Sequence, residues 1–356
     1  MPTSTGLELN RRFFHAVRPL LARHFPDLRY AAAHLGPGSD VLGFDTDMSK
    51  DHDWGPGFTL FLEEKSLISS VTAVLGAHLP ETFEGYPTWF SRADDGVLVP
   101  GERKERRFIV TDLSSFVARY LAFDGETLTD LDWLTFPSQR LLEVTSGEVY
   151  ADEVGALSAL RKKLAWYPEN VYLFLLAAQW QRVGQEQALM SRAGQVGDDL
   201  GSRLIGSRLV RDAIRIGFLL ERRYAPYAKW LGTAFKKLSL AEFLLDALEQ
   251  SVQADTWQVR ESALNRAFTQ LAVRHNELKL SEPIPEQPVP FHTRPFRVMN
   301  TNDIVATLLN AVKGEDLQRL AARAFTGSVD QLSDNTDLLA GAALRPKVVA
   351  FYRSLL

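Results

Sequence analysis

Cysteine is absent from all 356 residues. That excludes disulfides, thiol nucleophiles and thiolate metal sites, and predicts a protein of the reducing cytoplasm. Long apolar runs are missing as well: no stretch of eighteen apolar residues and no Arg-rich or apolar leader occurs, so neither export nor membrane insertion is expected. Internal repeats and low-complexity tracts are lacking apart from one proline-rich piece, Pro283 to Pro290. Nor is there a strong charge of one sign. The formal net charge of −4 gives no sign of a nucleic-acid-binding surface. What remains is an ordinary globular composition on a chain long enough for two cores.

The charge that is present is unevenly spread. Residues 1–157 hold 14 Lys and Arg against 24 Asp and Glu, whereas residues 158–290 hold 18 against 14, and residues 291–356 hold 8 against 6. An acidic first part beside a mildly basic one is a frame in which carboxylates hold a metal and cations meet a phosphate.

The most informative stretch lies in that acidic part. An apolar strand ending at Leu35 runs into Gly36-Pro37-Gly38-Ser39, and eleven residues separate Ser39 from Asp51-His52-Asp53. Gly38 lets the backbone approach a phosphate closely, and Ser39 offers a hydroxyl and an N–H to it. With strand two read as Asp51–Leu62, Asp51 and Asp53 share one side of an extended segment and His52 faces the other. Paired carboxylates beside a phosphate cradle are what Mg²⁺-assisted chemistry on a nucleoside triphosphate requires. A calcium loop over Asp45–Pro56 is disfavoured, because Lys50 and Pro56 stand where such a loop needs Gly and Glu. Asp45 and Asp47 are solvated or shape the entrance.

Gly-Ser followed by a spacer and Asp-x-Asp resembles the signature of the DNA polymerase beta-like nucleotidyltransferase superfamily. The longer string GSDVLGFDTDMSKDHDWGP resembles an uncharacterised bacterial branch of it. AAQWQRVGQEQALMSRAGQVGDDLGSRL and YAPYAKWLGTAF extend that resemblance over most of the chain. It implies an α/β plus all-α fold, a nucleotidyltransferase-like mixed sheet followed by a helix bundle. It also implies Mg²⁺ on Asp51 and Asp53, with a nucleoside triphosphate as co-substrate at Gly38 and Ser39. The superfamily pattern implies a third carboxylate on the strand around Phe108–Thr111. Here the first acid is Asp112, which is the candidate and equally a candidate helix N-cap. In the helical part, Lys229 is the candidate cation for the triphosphate, or a surface lysine beside buried aromatics.

The domains expected are 1–157, nucleotidyltransferase-like and catalytic; 158–282, a helix bundle; and 283–356, a proline-rich linker with C-terminal helices. Strands are expected at Arg29–Leu35 and Arg107–Thr111, the latter followed by a helix from Ser114, and Leu79–Gly101 reads as a loop. Ser66 is the expected N-cap of a helix Leu67–His78. The function expected is transfer of a nucleoside monophosphate to a hydroxyl, with release of pyrophosphate. The acceptor is open between a small molecule, a protein side chain and an RNA end. The alternative is a catalytically weak nucleotide-binding or partner-binding protein on the same fold, including a toxin–antitoxin or defence component.

Overall fold

A computed structural model describes residues 5–92, 98–100, 105–124 and 127–356. The chain divides into two compact units, residues 1–126 with 140–165, and residues 127–139 with 166–356.

The first unit is built on a four-stranded mixed sheet. Its helices are α1 (Gly6–His24), α2 (Ser39–Leu42), α3 (Ile68–His78) and α4 (Leu113–Leu121). Its strands are β1 (Tyr30–His34), β2 (Phe58–Leu62), β3 (Thr82–Phe83), β4 (Tyr86–Pro87), β5 (Phe90–Arg92), β6 (Leu98–Pro100), β7 (Phe108–Thr111) and β8 (Glu148–Asp152). The main sheet runs β7-β2-β1-β8, with β1 antiparallel to β2 and β8, and β2 parallel to β7. Every residue of β1 and β2 is buried, which accounts for their near-continuous apolar sequence where a half-exposed strand would alternate. One sheet face receives Phe13, Phe14, Val17 and Leu21 of α1, packed on Ala32, Phe58, Leu60 and Leu62. The other covers Ala31, Ala33 and Phe61 with Leu157 and Phe116. The start of α1 is fixed by a capping box, Thr5 accepting from the Glu8 N–H at 3.3 Å and Glu8 accepting from the Thr5 N–H at 3.1 Å.

Three local expectations are corrected. Strand two begins at Phe58, not Asp51: residues Asp47–Asp51 form a 3₁₀ turn, and Gly55-Pro56-Gly57 keeps the chain out of the ladder until Phe58. Ser66 does not cap α3; it lies in a 3₁₀ turn, Lys65–Leu67, and its hydroxyl donates to Glu64 at 2.5 Å. The segment read as a loop holds two short ribbons, β3–β4 and β5–β6, while residues 93–97 and 101–104 lie outside the described residues.

The second unit is helical among the described residues except for a two-stranded ribbon, Val289–Pro290 with Arg297–Val298. The next helices in chain order are α5 (Asp130–Thr135), α6 (Ser138–Thr145, in the first unit from Arg140 on), α7 (Ala156–Lys163, in the first unit), α8 (Glu169–Gln195) and α9 (Asp199–Leu220). They are followed by α10 (Ala228–Phe235), α11 (Ala241–Gln253), α12 (Trp257–Glu277) and α13 (Thr301–Ala311). Helix α8 buries all ten residues from Val171 to Trp180, because it is packed against α9, α12 and α13 on several sides. Close approach is visible at Gly206, where a Cβ would overlap the Arg260 side chain. Arg260, fully buried, donates to Ser202 at 2.6 Å and to the Ala254 carbonyl at 3.0 Å. The proline-rich piece is held as a strap: Ile284 N–H and carbonyl both bond the Asn276 side chain at 2.9 Å. Residues 283–356 cluster with the helices before them in this unit. The α/β plus all-α architecture is thus the one expected, a mixed sheet followed by a helical bundle. No helix among the described residues is long and apolar enough to cross a membrane.

Candidate nucleotide site

Strand β1 ends at His34, and the chain turns through Gly36 and Gly38 into α2, which Ser39 opens. Gly38 has φ +142°, and a Cβ there would overlap the Asp40 carboxylate and lie 3.5 Å from an Arg107 Nη2. Both the backbone angle and the space therefore demand glycine. The Ser39 side chain is half-buried, and its hydroxyl has no hydrogen-bond partner among the described residues.

Behind this turn lies a charged cluster that sequence reasoning missed. Asp40 has no exposed surface. Its Oδ2 is 2.8 Å from His34 Nε2, 3.2 Å from Arg107 Nη1 and 3.4 Å from Asn10 Nδ2. Burial pushes the Asp40 carboxyl up, but the Arg107 guanidinium and the His34 imidazole outweigh it and hold the group well below the ordinary carboxylate range. Arg107 also donates to the Gly55 carbonyl at 2.8 Å, and Asn10 accepts the Gly57 N–H at 2.5 Å. One cluster thus ties α1, the Gly38 turn and the loop before β2 together. Asp45 is half-buried, and its Oδ2 accepts from the Gly6 N–H at 2.7 Å and from the Trp54 indole at 3.2 Å. The only sequence signal for this set was the density of polar residues around the motif, because its members are spread from Asn10 to Arg107.

Asp51 and Asp53 precede β2 at the same end of the sheet as the turn that follows β1, and the next residues, Trp54 and Gly55, bond Asp45 and Arg107. They are not related by strand alternation. Asp51 ends the 3₁₀ turn with an exposed carboxylate, and His52, expected to face away, instead places Nδ1 2.9 Å from Asp51 Oδ1. Desolvation pushes the Asp51 carboxyl up, but the His52 side chain and backbone hydrogen bonds together outweigh it and draw the group down. Asp53 adopts φ +48°, a left-handed conformation that aspartate tolerates better than most residues. It is pinned there by Leu98, whose carbonyl accepts the Asp53 N–H at 2.7 Å and whose N–H donates to Asp53 Oδ1 at 2.9 Å. Asp53 Oδ2 has no partner among the described residues.

Asp112 is placed elsewhere. The parallel register Phe58↔Phe108 and Phe61↔Thr111 sets it beside the C-terminal end of β2. The Gly38 turn and the aspartate segment lie at the N-terminal end, about 13 Å away for four strand steps. It caps α4: Oδ1 accepts from the Ser115 N–H at 3.0 Å and Ser114 Oγ at 2.5 Å, and lies 3.0 Å from Lys65 Nζ. Despite burial, these donors pull its carboxyl well below the usual range. Asp112, the expected third acid, thus stands at the opposite end of β2 from the turn and the aspartate segment. The residue entering β7 at the turn's end is Arg107, a cation. Among the described residues no group of three or more His, Asp or Glu is set to hold a metal. Lys229, in the second unit, is exposed, with Nζ 5.0 Å from the centre of the Trp230 ring.

Comparison with known proteins gives a match of residues 133–231 to a family described as Domain of unknown function (DUF4037). No curated protein matches the chain. Among solved structures, a nucleotidyltransferase-like protein from Exiguobacterium sibiricum 255-15 is similar at 12% identity and a TM-score of 0.34, over 78% of this chain and 82% of that one. So distant a likeness says nothing of chemistry.

Proposed function

We propose that the first unit is a Mg²⁺-dependent nucleotidyltransferase, moving a nucleoside monophosphate from a triphosphate to a hydroxyl acceptor and releasing pyrophosphate. The observation that supports it most is the meeting, at one end of the sheet, of the Gly38-Ser39 turn, the Arg107 guanidinium and the Asp51–Asp53 segment. In this reading the Gly38 turn admits the phosphates, Ser39 donates its free hydroxyl to them, and Arg107, held rigid by Asp40 and Gly55, counters their charge. Asp51 and Asp53 offer hard oxygen donors, one of them unpartnered, which suit Mg²⁺. The ion that Asp51 and Asp53 would hold would supply neutralisation of the charge building on the phosphates.

A second reading has its own support. With Asp112 occupied as a cap at the far end of β7, no carboxylate is assigned to deprotonate the acceptor, which favours a nucleotide-binding protein with weak or no turnover. One experiment separates the two. Calorimetric titration with ATP, CTP, GTP and UTP, with and without Mg²⁺, should show Mg²⁺-dependent binding of at least one. Pyrophosphate release in the presence of cell extract should follow, and Asp51→Asn and Asp53→Asn should each lose nearly all of it while staying folded. Binding without release selects the second reading. No binding at millimolar nucleotide removes both.

A further inference from the structure

The second unit contains a half-open pocket of about 410 Å³, part of it open solvent. Its walls are aromatic. Trp166 and Tyr167, just before α8, meet Tyr224, just after α9, with ring centres 5.0 to 5.1 Å apart in all three pairs. Phe218 and Leu175 complete the apolar lining. The Trp166 indole N–H is buried with no partner, and the Tyr167 hydroxyl has none among the described residues.

Two cations line this pocket, Arg215 from within α9 and the exposed Arg223. Arg215 donates one N–H to the Asp330 backbone carbonyl and is in no ion pair among the described residues; nor is Arg223. The nearby carboxylates are engaged elsewhere. Asp212 is taken by Arg182 at 3.2 Å and by Gln179 at 2.9 Å, and Asp334 by Arg211 at 2.7 Å. Asp330, also in the lining, spends both oxygens on Ser138, accepting its N–H at 2.8 Å and its hydroxyl at 3.1 Å. Burial pushes the Asp330 carboxyl up, with Arg215 opposing, so it offsets the two arginines incompletely. A guanidinium kept in an aromatic pocket outside any ion pair is costly, and its planar fork of donors matches a carboxylate.

We propose that this pocket binds a small aromatic carboxylate, its ring against Trp166, Tyr167 and Tyr224 and its anion on Arg215 and Arg223. An apolar cleft with a few convergent polar groups is the usual form of a small-ligand site. The site lies wholly within the second unit and does not depend on the nucleotidyltransferase reading.

The test titrates the full chain with benzoate and nicotinate, with benzamide as the neutral isostere, acetate as the ringless anion and phenyl phosphate as the alternative anion. Benzoate or nicotinate should bind with a dissociation constant of about 1 mM or below, and benzamide and acetate at least tenfold more weakly. Arg215→Gln should weaken the carboxylate at least tenfold, while Arg208→Gln, on the same helix but paired with Glu186, should leave it unchanged. If Arg215→Gln does not fold, the surface variant Arg223→Gln decides, with a threefold loss expected. Equal binding of benzamide and benzoate, no effect of the arginine variant that folds, or no binding at 10-fold higher concentration (about 10 mM) would overturn the proposal. Tighter binding of phenyl phosphate than of either carboxylate would overturn the carboxylate assignment.

Discussion

Asp40 illustrates how a single buried charge organises a site. It has no surface of its own, yet it is held ionised by Arg107 and His34, and those partners in turn fix Gly55 and Asn10. Removing the carboxylate charge leaves Arg107 and His34 buried with a weaker acceptor, and breaking a buried pair in this way typically costs about 3–5 kcal/mol. Asp40→Asn should therefore lower unfolding free energy in urea by about 3 kcal/mol, with some acceptor capacity kept by the amide oxygen. The sign with pH follows from the depressed carboxyl. The contribution is present above the ordinary carboxylate range, roughly pH 4, and is lost as pH falls below it. The difference between wild type and variant should shrink on that acid side. An Asp40→Asn protein as stable as wild type at neutral pH would mean the cluster does not brace the turn. None of this was legible beforehand, since residues 10, 34, 40 and 107 become neighbours only through the order of the strands. The Gly38-Ser39 pair was legible, because the need for glycine there is local.

Helices and strands of the first unit were readable from apolar runs, as with α1 and β1, within a residue or so at each end. The failure at β2 is instructive. The apolar second half of Asp51 to Leu62 suggests one strand, although Gly55-Pro56-Gly57 is itself a strand-breaking signal. Strand alternation therefore does not relate the two aspartates, and the antiparallel pairing of β1 with β2 is what sets them at the end of the sheet where the turn lies. Register, not composition, decides Asp112: the parallel pairing of β2 with β7 carries it to the far end of the sheet. The expected consequence is that Asp112 behaves as an element terminus. Asp112→Asn should keep both nucleotide binding and any pyrophosphate release, because asparagine caps as well as aspartate and the lost ion pair is with a well-exposed Lys65. Asp112→Ala should cost about 1–2 kcal/mol in thermal or chemical denaturation, as a missing cap does. Abolition of turnover in a folded Asp112→Asn protein would return it to the catalytic set.

Across the whole molecule, the two units carry titratable groups that respond to acid in different ranges. The first unit depends on Asp40, whose contribution lasts until pH falls below the carboxylate range. The second contains His275 in α12, 1% exposed, with Nε2 3.0 Å from Ser281 Oγ and Nδ1 buried without a partner. Burial lowers its pKa from 6.5 to about 4. Between those values the unfolded chain binds a proton that the folded one refuses, so stability rises with pH through the window and is lost as pH falls from about 6.5 toward 4. When complete the loss is worth about 3 kcal/mol. Mild acid should thus weaken the helical unit before it reaches the Asp40 cluster. His275→Gln, which keeps a polar group within reach of Ser281 but does not titrate, should flatten the fall in melting temperature between about pH 6.5 and 4.5. Asp40→Asn should leave the slope over that same range unchanged. Parallel slopes for wild type and His275→Gln would show that the histidine accepts its proton without disturbing the fold. A slope altered by Asp40→Asn instead would place the acid-sensitive step in the sheet.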